Sequence, residues 1–222
     1  ASVALGYISV MLAVAPVSIG LPSIAESLGV DVADASWIQI AYLVVLTALE
    51  PARQDVTFHT RSGPLTVRRE GADLSMDFPA RPPERCDAPA GLNAALGATP
   101  REVWKSRDLM AVFDTEEAVR ALAPSFDSIR SLGVFGVIVT APGREVDFVS
   151  RFFAPLLGIP EDPVTGSAHC TLVPYWARRL GRPRLRARQL SARGGELVCE
   201  NRGERVTIAG RAVRYLEGTI EI

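Results

Sequence analysis

The 222-residue sequence is 48% hydrophobic and 22% charged, which is the composition of a folded globular protein and excludes a disordered or collagen-like chain. Its net charge of −1, from 24 basic and 25 acidic side chains, provides no general attraction to nucleic acid, so we expect no nucleic-acid partner. The charge is unevenly distributed, because residues 1–52 contain four acidic side chains and no basic one. The sequence therefore divides into an acidic N-terminal segment and a slightly basic remainder.

Three cysteines, Cys86, Cys170 and Cys199, are widely spaced and form no metal-binding pattern such as C-x-x-C. An odd number of cysteines at these spacings also argues against a disulfide framework, so we expect the folded part of the chain to lie in the reducing cytoplasm. The cysteines therefore predict no metal site.

Two apolar segments dominate the first fifty residues. Residues 1–25 carry no charge, and residues 35–49 are uncharged again after an acidic linker. The first segment is long enough to cross a bilayer as a helix, which needs about 20 residues, whereas the second is short for a span. Residues 1–52 are predicted to form an apolar helical hairpin, and membrane association is expected to involve residues 1–49.

The apolar hairpin also carries a resemblance. The motif L-P-S-I-A-E-S-L-G at residues 21–29, with A-S-W-I at 35–38 and A-Y-L at 41–43, resembles the first two helices of a major facilitator superfamily drug transporter. The resemblance covers about residues 1–50. Because such transporters place their substrate site between repeats of many helices, two helices alone imply no transport. A membrane anchor, a repurposed pair of soluble helices and a spurious fusion of two genes remain the alternatives.

The rest of the sequence predicts an α+β fold with mostly antiparallel strands and few helices. Three short strands, at residues 56–60, 65–69 and 74–78, precede a proline-rich connector at residues 80–89. The longest predicted helix covers residues 166–180, and we expect Pro174 to kink it. The other predicted elements are a helix at 90–96, a helix capped by Asp114 and Glu117, and strands at 102–105, 109–113, 134–140, 146–152, 185–190, 196–200, 205–209 and 212–216.

The segment E-D-P-V-T-G-S-A-H at residues 161–169 joins a predicted strand to the start of the longest helix. Gly166 and Ser167 would present unpaired backbone N–H groups at the positive end of this helix, which is a binding site for a substrate carboxylate. Asp162 precedes Gly166 by four residues and is positioned to accept or donate a proton there. The alternative is purely structural, with Asp162 or Thr165 capping the helix and the glycine serving a turn.

Several motifs in this part of the chain resemble the PhzF-like phenazine biosynthesis family. The motifs are F-H-T-R-S-G-P-L-T-V at 58–67, M-D-F-P at 76–79, F-A-P at 153–155, E-D-P-V-T-G-S-A at 161–168 and Q-L-S-A-R-G-G-E-L at 189–197. The resemblance covers about residues 56–222. It implies the diaminopimelate-epimerase-like fold, in which two similar lobes each roll a β-sheet around a central helix. It also implies a cofactor-independent isomerase or epimerase that moves a proton on a small carboxylated substrate.

The family resemblance assigns expected roles and domains to this sequence. Asp162 matches the family's cleft aspartate, while Gly166 and Ser167 match the backbone donors to the substrate carboxylate. Thr165 lies in the same motif, and Arg151 is expected to line the cleft, so both are predicted substrate-binding residues. Residues 53–86 correspond to remnant strands of the first lobe and residues 87–222 to the second lobe, with the last strand returning to the first.

The sequence departs from the family in the first lobe. Members supply a catalytic glutamate from an S-E-T-A-F-like motif and a Gly-His pair from a G-H-A-T-L-like motif, and neither motif occurs in these 222 residues. We therefore expect an isomerase with low or no activity, and a truncated first lobe whose strand edges are covered by the apolar helices or by a homodimer. A non-catalytic module that binds a small acid, tethered to a membrane, and a fragment of a drug transporter remain the alternative functions.

Overall fold

The computed structural model describes residues 55–60 and 63–211. The predicted helical hairpin at residues 1–52 and the predicted strand at 212–216 lie outside these residues. Within the described ranges, no helix is both long enough and apolar enough to cross a membrane. The chain divides into two compact units, and the second unit is Ser75–Arg211.

The described part of the first unit is a β-hairpin. Strand β1 (Asp55–Thr60) pairs antiparallel with β2 (Gly63–Glu70), in a register that places Thr57 opposite Thr66. Leu65 and Val67 alternate with more exposed neighbours, so one face of β2 is buried, as the alternating sequence predicts. Strand β3 (Asp73–Pro79) begins in this unit and continues into the second.

The second unit is built on one mixed sheet. Its strand order is β3-β11-β10-β9-β8-β7-β6-β5-β4. The pairs β6–β7 and β8–β9 are parallel, whereas β4–β5, β5–β6, β7–β8, β9–β10 and β10–β11 are antiparallel. The strands are β4 (Glu84–Arg85), β5 (Glu102–Lys105), β6 (Leu109–Val112), β7 (Val137–Pro142), β8 (Phe148–Phe153), β9 (Arg184–Gln189), β10 (Gly195–Asn201) and β11 (Arg205–Arg211).

Helices cover both faces of this sheet. The helices are α1 (Leu92–Leu96), α2 (Glu116–Ala121), α3 (Phe126–Ser131) and α4 (Gly166–Leu180). Val137 and Val139 of β7 belong to the buried cluster that includes residues of α1, α2 and α3. Thr140, on the opposite face of β7, accepts a hydrogen bond from Nε1 of Trp176 on α4 at 3.0 Å. Because successive strand residues point to opposite faces, β7 packs against both helix layers.

Helix α4 runs from Gly166 through Pro174 as one helical element. Proline has no N–H, so the carbonyl of Cys170, four residues earlier, loses its usual partner within the helix. The backbone N–H of Arg81 donates to this carbonyl at 2.8 Å. The connector after β3 therefore provides the hydrogen bond that Pro174 removes, and the helix continues to Leu180, before Gly181.

The helix predicted to be capped by Asp114 begins differently in the structure. Thr115 is its N-cap, and Oγ1 of Thr115 accepts a hydrogen bond from the N–H of Ala118 at 3.2 Å. Asp114 instead accepts a hydrogen bond from Arg101 at 2.8 Å. The prediction of the cap was therefore wrong by one residue. Helix α3 and the two-residue strand β4 were not predicted, because both are too short to show a clear periodicity.

Candidate active site at the start of helix α4

Asp162 lies half-buried in the loop between β8 and α4. Its backbone is fixed to two neighbouring strands. The N–H of Asp162 donates to the carbonyl of Phe152 at 3.0 Å, and Nε2 of Gln189 donates to the carbonyl of Asp162 at 2.6 Å. Because Phe152 belongs to β8 and Gln189 to β9, the sheet holds this residue in place just before the helix.

The carboxylate of Asp162 has a hydroxyl partner. Oγ1 of Thr165 donates to Oδ2 of Asp162 at 2.5 Å. Burial raises the pKa of Asp162 above that of an ordinary aspartate, and the hydrogen bond from Thr165 and the positive charge of Arg193 oppose that rise. A carboxylate whose pKa is raised is a better proton acceptor, so this environment suits acid–base chemistry.

The first turn of α4 begins without a side-chain cap. Thr165 occupies the N-cap position, but its hydroxyl oxygen accepts no hydrogen bond from the first turn of the helix and instead accepts one from Nε2 of Gln189 at 3.1 Å. The structure therefore does not show the alternative in which Asp162 or Thr165 caps the helix through its side chain. The N–H groups of Gly166 and Ser167 lie at the positive end of the helix, where an anion is favoured.

Gly166 leaves space at this helix end. A Cβ atom at this position would meet only Cζ of Phe78, at 4.0 Å, which is an ordinary contact. By contrast, a Cβ at Gly195 would lie 2.4 Å from Cγ2 of Val164 in the same loop. Packing therefore requires glycine at position 195 but not at 166, where the missing side chain leaves the backbone accessible to a ligand.

The hydroxyl of Ser167 is hydrogen-bonded to Arg107, a residue that the sequence motifs did not predict for this site. Nη2 of Arg107 donates to Oγ of Ser167 at 3.0 Å and to Oδ2 of Asp108 at 2.9 Å. Asp108 is fully buried, and the guanidinium of Arg107 also lies 4.1 Å above the ring of Phe135. This arrangement fixes the orientation of the serine hydroxyl at the start of α4.

Arg151, a predicted substrate-binding residue, is tied into the protein by four hydrogen bonds. Its Nε and Nη2 donate to the two carboxylate oxygens of Glu161, at 2.7 and 3.0 Å. Its Nη1 donates to the carbonyls of Val119 and Leu122, at 3.3 and 2.8 Å. These contacts link β8 to the end of α2 and to the loop that carries Asp162. Substrate binding by Arg151 stays a prediction.

His169 and Cys170 are both buried in α4, as expected for packed residues. Nδ1 of His169 lies 2.7 Å from the carbonyl of Thr165, so this nitrogen carries the proton and donates it. Burial lowers the pKa of His169 to about 4 and raises the pKa of Cys170 to about 11, so both side chains are neutral at pH 7. Neither side chain is exposed enough to contact a substrate directly.

Sequence reasoning missed Arg107, Asp108 and Gln189 as parts of this site. Gln189 starts the Q-L-S-A-R-G-G motif that carries the family resemblance, so a signal for it was present. Arg107 and Asp108 lie in no recognised motif, and the contact of Arg107 with Ser167 spans 60 residues of chain. The described residues contain no group of three side chains suited to a metal ion.

Comparison with known proteins identifies a family and relatives of this chain. A family model described as "Phenazine biosynthesis-like protein" matches residues 36–218. An uncharacterized isomerase of Pseudomonas aeruginosa is 51% identical over 179 residues, which cover 81% of this chain and 69% of that protein. The match begins earlier than the predicted residue 56, and the comparisons give no support to a transporter fusion.

Solved structures of the same family share the fold. A PhzF-family protein of Enterococcus faecalis is 43% identical, with a TM-score of 0.71, over 77% of this chain and 66% of that one. A PhzC/PhzF protein of Clostridium difficile, described as a phenazine biosynthesis protein, is 39% identical, with a TM-score of 0.73, over 82% of this chain and 71% of that one. The chain spans about two thirds of the length of these relatives. It belongs to the phenazine biosynthesis-like, or PhzF, family, whose α+β fold it shares.

Proposed function

We propose that the chain binds a small carboxylic acid at the start of α4 and that Asp162 moves a proton on this substrate without a cofactor. The observation that carries the proposal is the position of Asp162, half-buried and bonded to the hydroxyl of Thr165, directly before the uncapped first turn of α4. The isomerase named among the relatives supports the same class of reaction.

The chemistry follows from the two parts of the site. The substrate carboxylate binds the N–H groups of Gly166 and Ser167, where the helix favours negative charge. Asp162 takes a proton from a carbon of the substrate, and the electron pair left behind moves into the conjugated carboxylate. The same N–H groups stabilise this growing negative charge, because they already point at the oxygen that carries it.

Isomerisation needs a second group that gives the proton back at a different position. These 222 residues contain neither the S-E-T-A-F-like nor the G-H-A-T-L-like motif from which the family takes its partner groups. Loss of one acid–base partner typically costs about 10²- to 10⁴-fold in rate. We therefore propose that the protonated carboxyl of Asp162 exchanges its proton with water and then gives a solvent hydrogen to the same carbon. The chain would then catalyse hydrogen exchange of the substrate faster than its isomerisation.

Hydrogen exchange in deuterated water tests this function. The 222-residue chain is incubated with hydroxyanthranilate-like acids and amino-dicarboxylates, and deuterium at carbon is followed by proton NMR. We expect deuterium to enter with little isomer formed, and Asp162→Asn to reduce exchange to the rate without protein. Asp127→Asn, at a carboxylate with 95% of its side chain exposed, is the matched control and should exchange like the parent chain.

Two results would contradict the proposal. Exchange that survives in the Asp162→Asn variant would show that another group moves the proton. Binding of these acids without any exchange in the parent chain would instead favour a non-catalytic module that recognises a small acid.

A further inference from the structure

Gln189, the last residue of β9, is buried with 1% of its surface exposed, and its amide binds both ends of the loop segment 162–165. Its Oε1 accepts a hydrogen bond from the N–H of Thr165 at 2.8 Å. Its Nε2 donates to the carbonyl of Asp162 at 2.6 Å and to Oγ1 of Thr165 at 3.1 Å. One buried side chain therefore contacts the residue that carries the proposed proton acceptor and the residue that donates to its carboxylate.

The backbone partners fix which end of the amide is oxygen and which is nitrogen. A backbone N–H only donates and a carbonyl only accepts, so Oε1 faces Thr165 and Nε2 faces Asp162. The second hydrogen of Nε2 is then directed to Oγ1 of Thr165. This hydroxyl accepts from Gln189 and gives its own hydrogen to Oδ2 of Asp162 at 2.5 Å. Hydrogen bonds in such a chain strengthen one another.

We propose that Gln189 is a positioning residue that acts on the carboxylate of Asp162 through the hydroxyl of Thr165. The inference rests on the proposed function and adds to it the group that orients the proton acceptor. The amide occupies the acceptor side of the hydroxyl, which keeps the hydroxyl hydrogen on Oδ2, and it also fixes the backbone on which both side chains stand. Without this amide, the hydrogen bond to the carboxylate would weaken.

The surroundings of Asp162 make its pKa a measure of this hydrogen bond. Burial raises the pKa of Asp162, and the hydrogen bond from Thr165 opposes that rise more than the positive charge of Arg193 does. The other titratable groups on the surrounding elements are the neutral His169 and the ion pairs Arg151–Glu161 and Arg107–Asp108. Because Gln189 carries no charge, its effect on this pKa has to pass through the hydrogen bonds.

Titration of Asp162 by NMR tests the inference, with the 222-residue chain labelled with carbon-13 at the aspartate carboxyl groups. The resonance that disappears in Asp162→Asn belongs to Asp162. Gln189→Met, which keeps the length of the side chain and removes its hydrogen bonds, should raise the pKa of Asp162 by most of the shift that Thr165→Val causes. The double variant should titrate like Thr165→Val alone, because both residues act through one hydrogen bond.

Gln189→Glu is a second, more conservative variant. It keeps the shape of the side chain and an oxygen for the N–H of Thr165, but it cannot donate the two hydrogen bonds that the amide nitrogen donates. We expect the pKa of Asp162 to rise in this variant as well.

Thr140→Val is the control for a general loss of stability. The buried Thr140 lies in the same row of the sheet, since it pairs with Ser150 and Ser150 pairs with Gln189. Its hydroxyl donates to the carbonyl of Val149 at 2.7 Å and accepts from Trp176 of α4 at 3.0 Å. Both Thr140→Val and Gln189→Met leave buried polar groups unpaired and should lower Tm, but only Gln189→Met should change the titration of Asp162.

The inference is overturned if Gln189→Met leaves the titration of Asp162 unchanged, or if its shift persists in full when Thr165 is already valine. It is also overturned if Thr140→Val moves the titration as far, or if neither variant of Gln189 folds. The titration needs no substrate. A parent chain that exchanges no deuterium but shows the expected titrations would therefore contradict the proposed function and leave the link from Gln189 to Asp162 standing.

Discussion

Glu161 and Asp162 are adjacent in the chain, yet their carboxylates have different hydrogen-bonding and charge partners in the structure. Both oxygens of Glu161 accept hydrogen bonds from Arg151, and the two side chains are only 21% and 12% exposed. Asp162 receives a hydroxyl hydrogen bond from Thr165 and forms no ion pair with a described residue. The first carboxylate is fully matched with a positive charge, whereas the second is not.

Two arginines, Arg151 and Arg81, differ in the same way. Arg151 directs four hydrogen bonds to the protein, while a buried nitrogen of Arg81 has no partner among the described residues. The hydrogen bonds of the Arg151–Glu161 pair are made within the protein, so this pair does not require a ligand as a partner. A carboxylate that is partly buried and unmatched, as that of Asp162 is, costs stability, and such groups are the ones expected to act on a substrate.

Breaking the satisfied pair should have the largest effect on stability. Glu161→Gln removes the charge that Arg151 faces and leaves the guanidinium buried with a weaker partner. Because removing one partner of a largely buried ion pair leaves the other charge uncompensated, we expect the free energy of unfolding to fall by about 3 kcal/mol. Urea unfolding followed by circular dichroism measures this change.

The same isosteric substitution one residue later is the matched control. Burial raises the pKa of Asp162, so the ionised carboxylate lowers the stability of the folded chain at neutral pH. Asp162→Asn removes this charge and should therefore not destabilise the chain. We expect the unfolding midpoint to stay equal or to rise. Equal losses of stability in Glu161→Gln and Asp162→Asn would show that the two carboxylates do not differ in the way described.

A smaller effect is expected at the start of α4, where we expect replacement of Gly166 to weaken ligand binding without lowering stability. Gly166→Ala adds a methyl group that the protein tolerates, at 4.0 Å from Phe78, but that occupies the ligand's approach to the N–H groups. In isothermal calorimetry with benzoate, a small carboxylic acid, we expect the affinity to fall by about tenfold, which corresponds to about 1.4 kcal/mol, with no loss of Tm.

The control for this substitution is Gly195→Ala in the same region. Its Cβ would lie 2.4 Å from Cγ2 of Val164, so this change should lower Tm. A Gly166→Ala variant that unfolds as easily as Gly195→Ala, or one that keeps full affinity for benzoate, would refute the role of Gly166 in ligand access.

The sequence predicted those features that depend on local patterns. The bounds of α4 agree with the predicted 166–180, because threonine, a common N-cap residue, precedes the helix at position 165 and glycine follows it at position 181. The predicted strand at 185–190 also agrees closely with β9 (Arg184–Gln189), in which Leu185 and Ala187 are buried and Arg184 and Arg186 are exposed. The residues that specify such strands and helices lie within the elements or a few residues beyond their ends.

Features that depend on distant contacts could not be read in the same way. Nothing in the sequence near Arg81 indicates that its backbone replaces the hydrogen bond lost at Pro174. Likewise, the pairing of Arg107 with Ser167 joins two segments 60 residues apart. A single sequence carries no record of such contacts. Apart from Arg151, the residues predicted for the site therefore came from one motif, and the structure was needed to place Arg107 and Asp108 beside it.

The pH dependence of deuterium exchange tests the role of Asp162 most directly. Exchange needs the ionised carboxylate, so its rate should rise with pH through a pKa above that of an ordinary aspartate and then reach a plateau. Thr165→Val removes a hydrogen bond that lowers this pKa and should move the inflection to still higher pH. An inflection at the ordinary aspartate value, or one that Thr165→Val leaves in place, would contradict the assignment of Asp162 as the proton-transfer group.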